Sequence, residues 1–197
     1  MALNVRVLTP QTGLAEHVEG IAQLRIRVFR DWPYLYDGDI DYERRYLAEF
    51  AAAPGAVCVA AFDGAAMIGA STGMPMAGEH EPIKAPFLEA SIPVDTIFYC
   101  AESVLLPEYR GRGLYRRFFD GRESHARALG GFDTVAFCGV VRPGDHPLKP
   151  AGAVPLDDVW RHFGYEADEN LICHFSWKDV DRDEETEKPL KFWLKSL

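Results

Sequence analysis

Apolar positions along the chain change period from two to 3.6 and back, and each change marks an element boundary. Residues 4–8, NVRVL, alternate as a short strand. Leu14, Val18, Ile21, Leu24, Ile26 and Val28 recur at roughly helical spacing within residues 14–30, and residues 41–53 form a second helical pattern closed by Pro54 and Gly55. Two apolar runs, 56–62 and 65–73, meet at Asp63-Gly64, the strongest hairpin signal in the chain, because Asp-Gly accepts the positive dihedrals of a tight turn. Residues 75–94 are a Pro-rich connection expected to hold a short helix around Pro86 to Ala90. The run TIFYCAESVLL, residues 96–106, is expected as one long buried strand, followed by an elbow and a helix running to about Leu129, stopped by Gly130-Gly131. Residues 132–141 are another buried strand. A Pro-rich loop (142–155), a short helix (156–163) and two strand-like segments (169–177 and 190–197) complete the chain. Without a repeat or a low-complexity linker, this pattern predicts a single mixed α/β domain over residues 1–197.

Charge then limits the partners. With 30 Asp and Glu against 21 Lys and Arg, the net charge is −9 and the pI is near 5.1, which argues against nucleic acid, since phosphate binding wants a basic face. An anionic ligand therefore needs a local basic pocket, and Arg110, Arg112, Arg116 and Arg117 supply one. Cys58, Cys100, Cys138 and Cys173 lie far apart inside apolar runs, with no C-x-x-C pair and no His at zinc spacing, so they are expected as reduced core thiols and no metal is expected. The first residues carry no secretory pattern and no apolar run reaches the roughly 18 residues of a membrane span. The expectation is a cytoplasmic protein without a membrane partner.

The elbow LLPEYRGRGLYRRFF, residues 105–119, joins an apolar strand to an amphipathic helix through a glycine-rich, cationic turn. The first N–H groups of a helix have no internal partner and carry partial positive charge, so an anionic phosphate group fits there. Gly111 and Gly113 allow close approach to the backbone, while Arg110 and Arg112 add charge. Two familiar phosphate loops are excluded: there is no G-x-x-x-x-G-K-[ST], and GRGLYR lacks the third glycine of the dinucleotide fingerprint.

In its context, VLLPEYRGRGLYRRF resembles the acetyl-CoA signature of the GNAT superfamily of N-acetyltransferases: Arg or Gln, two variable residues, Gly, one variable residue, then Gly or Ala. Arg110 and Gly113 fill the first two fixed places, and Tyr115 stands where the small residue belongs. WRHFGYE is similar to the family's Gly-Phe segment before its sixth strand, with Gly164-Tyr165 in that place. The resemblance implies a central mixed, mostly antiparallel sheet of about seven strands flanked by about four helices, with acetyl-CoA as co-substrate. It implies a pantetheine arm lying along Ser103, Val104, Leu105 and Leu106 like an added strand. The pyrophosphate would sit on the backbone of Gly111, Arg112, Gly113, Leu114, Tyr115 and Arg116, beside Arg110. An amine would then attack the thioester directly, with a backbone N–H near Leu105 stabilising the developing oxyanion.

A base is wanted near the thioester, because an amine is nucleophilic only when neutral. Glu102, eight residues before Arg110, is the candidate, and the competing role for a carboxylate in that strand is an ion pair with an arginine. Many members of the family place a Tyr four residues before the Gly of the later segment as acid for the leaving thiolate, and here that residue is Trp160. Solvent, Tyr165, Asp157 or His146 are the stand-ins, each with a structural role as the competing explanation. For the acceptor, Asp31, Asp37, Asp39, Asp41 and Glu43 alternate with Trp32, Tyr34, Tyr36 and Tyr42, a set that suits a cationic amine or else forms a solvated acidic turn over core tyrosines. The partner expected is a small-molecule or peptide amine, and a homodimer is left open. Two other classes compete: a catalytically silent acyl-CoA-binding or sensing module, and a plain α/β protein whose elbow binds no phosphate.

Overall fold

The computed structural model describes residues 3–197. Strand β1 (Leu3–Leu8) leads through two 3-10 turns into helix α1 (Val18–Phe29), and α2 (Ile40–Ala52) follows with Asp39 as its N-cap, accepting a 2.7 Å hydrogen bond from the Tyr42 N–H. The Asp-Gly turn makes the expected hairpin of β2 (Val57–Asp63) and β3 (Ala66–Pro75). Helix α3 (Glu81–Glu89) begins earlier than the apolar pattern suggests, because Pro82 sits in its first turn, where a missing N–H costs nothing. Then come β4 (Ile97–Tyr99), β5 (Ser103–Leu105), α4 (Leu114–Leu129), β6 (Thr134–Val140), α5 (Asp157–His162), β7 (Glu166–Lys178) and β8 (Glu185–Ser196).

The sheet runs β1-β2-β3-β4-β6-β8-β7, with β5 also beside β3. Only β4 and β6 are parallel neighbours, so the sheet is mixed and mostly antiparallel as expected. Among the described residues it has eight strands rather than about seven, and five helices flank it rather than about four. The extra strand arises because the apolar run 96–106 does not fold as one strand. It breaks after Tyr99 and resumes at Ser103.

Two glycines set how closely the helices lie on the sheet. A β-carbon at Gly121 of α4 would come within 2.7 Å of Val59 on β2, and one at Gly20 of α1 within 3.3 Å of Met67 on β3. Helices α1 and α4 cover opposite faces, so the sheet is buried between them, and α3 packs with strands β4, β6, β8 and β7 in a further cluster around Phe87, Tyr99 and Phe192. The segment between α1 and α2 is tied to the far end of the sheet. Arg142 donates to the carbonyls of Pro33 (2.8 Å) and Tyr34 (2.6 Å) and pairs with Asp179 at 2.8 Å, while Trp177 Nε1 donates to the Tyr34 carbonyl at 3.0 Å. With side chains of Arg142 and Asp179 nearly buried, this pair fixes where Tyr34 stands.

Candidate active site at the split sheet

The break in the long apolar run is a β-bulge. Ala101 N–H donates to the Thr72 carbonyl and Thr72 N–H donates to the Glu102 carbonyl, so two residues oppose one on β3. Below the bulge, β4 is bonded to β6, and Cys100 N–H still reaches the Ala136 carbonyl at 2.7 Å. Above it, β5 pairs only with β3, and the upper part of β6 pairs only with β8. The sheet therefore splits between β5 and β6. Glu102 and Leu106 bond to β3, and backbone groups alternate sides along a strand, so the N–H and C=O of Ser103 and Leu105 turn toward the split.

A cavity of about 80 Å³ occupies the split. Its wall includes Cys100 and Ala101 from one lip, and Phe137 and Cys138 from the other. Neighbouring residues of a strand point to opposite faces, so a wall holding both members of each pair passes through the plane of the sheet. On the α1 side it is closed by Phe29 and Tyr34, and on the α4 side by Tyr115, Phe119, Arg122 and Trp160, with Glu102 and Ser103 between. Two molecules entering from opposite faces would meet there.

Glu102 is held from the α1 side. Arg25 of α1 bonds Glu102 Oε2 through Nη1 at 2.5 Å and Glu43 Oε2 through Nε at 2.5 Å, with the two carboxylate side chains 7% and 0% exposed. Glu102 Oε1 and Glu43 Oε1 are buried and make no hydrogen bond among the described residues. Two carboxylates thus share one cation, leaving an acceptor oxygen of Glu102 free. From the α4 side, the buried Arg122 donates through Nη1 to the Glu102 carbonyl at 3.1 Å and approaches the Thr72 carbonyl at 3.4 Å, clamping the bulge. Arg25→Met is expected to lower unfolding free energy by about 3–5 kcal/mol, because it strands two buried carboxylates. A variant as stable as the parent at neutral pH would show that Arg25 does not neutralise them.

The elbow presents its helix end as expected. Gly113 caps α4 with φ +76°, no side chain caps the helix, and the first turn holds no acidic residue. Gly111 has φ +73°, and a β-carbon at either glycine would meet nothing within 4 Å, so the surface above both is open. Arg110, Arg112, Arg116 and Arg117 are exposed, and none forms an ion pair with a described acidic residue. Arg112 donates to the Glu108 carbonyl at 3.0 Å and lies over the Tyr109 ring, while Arg116 donates to His162 Nε2 at 3.2 Å. Leu114 is buried as a core residue, as are Val104, Leu105 and Leu106.

Trp160 packs edge-on against Phe137 and Trp193 and donates through Nε1 to the Tyr115 hydroxyl at 3.1 Å. The three stand-ins for a proton donor are elsewhere. Tyr165 is fully buried and donates to Glu123 Oε1 at 3.2 Å, Asp157 faces Arg161 at 3.9 Å, and His146 packs on Trp32; none lines the cavity. The acidic set between α1 and α2 is largely used within the fold. Asp37 pairs with Arg30 and Lys178, Asp39 caps α2, Asp41 pairs with Arg44, and Glu43 holds Arg25. Of that segment, Tyr34 reaches the cavity.

No protein-family model matches this sequence, and no curated protein is detectably similar to it. Solved structures are similar over the whole chain. Arabidopsis thaliana NAA60 in complex with acetyl-CoA superposes with a TM-score of 0.63 at 13% identity, covering 100% of this chain and 99% of its own. A ribosomal-protein-alanine N-acetyltransferase from Brucella melitensis gives 0.61 at 12% identity over 98% and 99%. An acetyltransferase of the GNAT family from Streptococcus pneumoniae gives 0.58 at 13% identity over 100% of both chains.

Proposed function

We propose that this chain, whose fold is that of the GNAT acetyltransferases, moves an acetyl group from acetyl-CoA to a primary amine of a small molecule or peptide by direct attack on the thioester. The observation that carries this is the cavity through the split sheet, with a carboxylate in its wall and an uncapped, cationic helix end beside it. Acetyl-CoA enters from the α4 side. Its pyrophosphate takes the free N–H groups of the α4 first turn, with Arg110, Arg112, Arg116 and Arg117 around it. Its pantetheine arm lies along Ser103 to Leu106 and bonds the backbone groups of Ser103 and Leu105 that β3 leaves free. That puts the thioester carbonyl at the split, where the Leu105 N–H can stabilise negative charge on its oxygen.

The amine comes from the α1 side, past Phe29 and Tyr34, and meets the free oxygen of Glu102. Glu102 takes the proton, so nitrogen attacks as a neutral nucleophile. Calorimetry with acetyl-CoA, followed by a thiol-release assay over a panel of a polyamine, an aminoglycoside, lysine and a tetrapeptide with a free N-terminus, tests the assignment. Binding together with amine-dependent thiol release is expected. Binding without release against every amine would instead support the silent acyl-CoA module, to which Trp160 at the family's tyrosine position lends support. No binding would remove both.

A further inference from the structure

We infer that Tyr115 is the acid that protonates the departing thiolate, with Trp160 as the residue that positions it; this rests on the acyl-transfer reading above. Tyr115 lies on the first turn of α4, two residues after the glycine cap, and lines the same cavity as Glu102. An indole N–H is a donor only, so in the 3.1 Å contact with Trp160 Nε1 the phenol oxygen must accept. Its own hydrogen is then turned elsewhere. Among the described residues the phenol makes no other hydrogen bond, and its ring is flanked by Phe119 and Phe163, which offer no acceptor. The direction left for the O–H is the cavity, where an arm lying along Ser103 to Leu106 brings its sulfur.

The surroundings suit an acid. Burial raises the phenol's pKa and keeps it protonated near neutrality, while the Trp160 N–H and the Arg122 charge act in the opposite sense and stabilise the phenolate once the proton has left. Arg122 and Glu102 are the charged groups in the cavity wall, and Cys100, Cys138 and Tyr34 are its other titratable ones. Base and acid therefore line one cavity: Glu102, held through Arg25 of α1, and Tyr115 on α4. The step balances. Nitrogen forms a bond to the carbonyl carbon, the C–S bond breaks with its electron pair going to sulfur, and the Tyr115 proton passes to sulfur to give the thiol. Nitrogen sheds two protons: the ammonium proton goes to Glu102 before attack and on to solvent, and the second goes to the freed Glu102 as the amide forms. The second equals the one Tyr115 gives, and exchange with solvent restores both side chains. The two departures from the signature, a tyrosine at 115 and a tryptophan at 160, thus form one hydrogen-bonded pair that moves the phenol from one helix to the other.

The test compares two leaving groups. Thiol release is followed for the wild type, Tyr115→Phe and Trp160→Phe with acetyl-CoA and with S-4-nitrophenyl thioacetate, whose aryl thiolate leaves without a proton, using the amine of the panel that gives the fastest release. Tyr115→Phe is expected to lose about 10²-fold in kcat with acetyl-CoA, near the low end for acid catalysis because a thiolate is already a fair leaving group. Its KM for acetyl-CoA should change less than about threefold, and its rate with the aryl thioester should match the wild type. Trp160→Phe should lose roughly tenfold with acetyl-CoA and show the same insensitivity with the aryl thioester, which a packing defect would not produce. A Tyr115→Phe enzyme with wild-type kcat on acetyl-CoA, or one equally impaired on both thioesters, overturns the assignment while leaving the transferase reading intact. A wild type that releases no thiol with any amine overturns both.

Discussion

Gly113→Asp is expected to abolish measurable acetyl-CoA binding while leaving the fold in place. Gly113 is the N-cap of α4 at φ +76°, and a β-carbon there would meet no protein atom within 4 Å, so the substitution brings no clash at that atom. The left-handed dihedral costs about 1–2 kcal/mol for an L-residue, and an aspartate at an N-cap returns about 1 kcal/mol by accepting from the first-turn N–H groups. Stability therefore changes little. Binding changes greatly, because the carboxylate occupies the donors proposed for the pyrophosphate and sets a like charge against it. At about 4 Å and an effective dielectric near 20, one such repulsion is worth about 4 kcal/mol, or roughly a thousandfold in Kd. Calorimetry on Gly113→Asp beside Gly113→Ala separates charge from strain: alanine carries the same dihedral cost without the charge and should weaken binding far less. Equal affinity of Gly113→Asp and the parent would dismiss the helix end as the pyrophosphate site.

That helix end was legible because it is local. Glycines at 111 and 113, arginines around them and an apolar stripe beyond are visible within one short stretch, and the positive dihedrals follow from the residue types. The split sheet was not legible. Ile97 to Leu106 is apolar on both faces except for Glu102 and Ser103, and a bulge adds one residue without changing that pattern, so the run reads as a single strand. What breaks it is tertiary: Thr72 bonding to both Ala101 and Glu102, and the buried Arg122 clamping the carbonyls of Thr72 and Glu102. Glu102 was itself the mark of the break, a lone charge in a buried run. The same mark points to two residues that periodicity alone passed over. Arg25 falls four residues after Ile21, and Arg122 four after Phe118, so each lies on the apolar stripe of its helix rather than on the wet side. A charge on a core stripe must find a buried partner, and both find theirs at the bulge. The acidic set at 31–43 misled for the opposite reason. Caps and ion pairs consume Asp37, Asp39 and Asp41 locally, and which carboxylates are left over cannot be read without the positions of Arg30, Arg44 and Lys178.

Glu102→Gln is expected to lower amine-dependent turnover by about 10² to 10⁴ and to leave acetyl-CoA affinity within about twofold. The fold should survive, because the change leaves Arg25 facing Glu43 alone, a neutral pair in place of two carboxylates on one guanidinium. Affinity should survive because the carboxylate points to the α1 side, whereas the cofactor's proposed contacts are backbone groups of β5 and the α4 end. What is lost is the acceptor oxygen buried at the split, which glutamine cannot replace as a base. The amine must then shed its proton before it arrives, so the variant's rate should climb steadily with pH toward the amine's own pKa, about 10.4 for a lysine-like acceptor, while the parent levels off earlier. Steady-state thiol release between pH 6 and about 10 reads both the drop and the slope. A variant as fast as the parent, or one slowed by the same factor at every pH, would reduce Glu102 to the ionic partner of Arg25 and return proton removal to solvent.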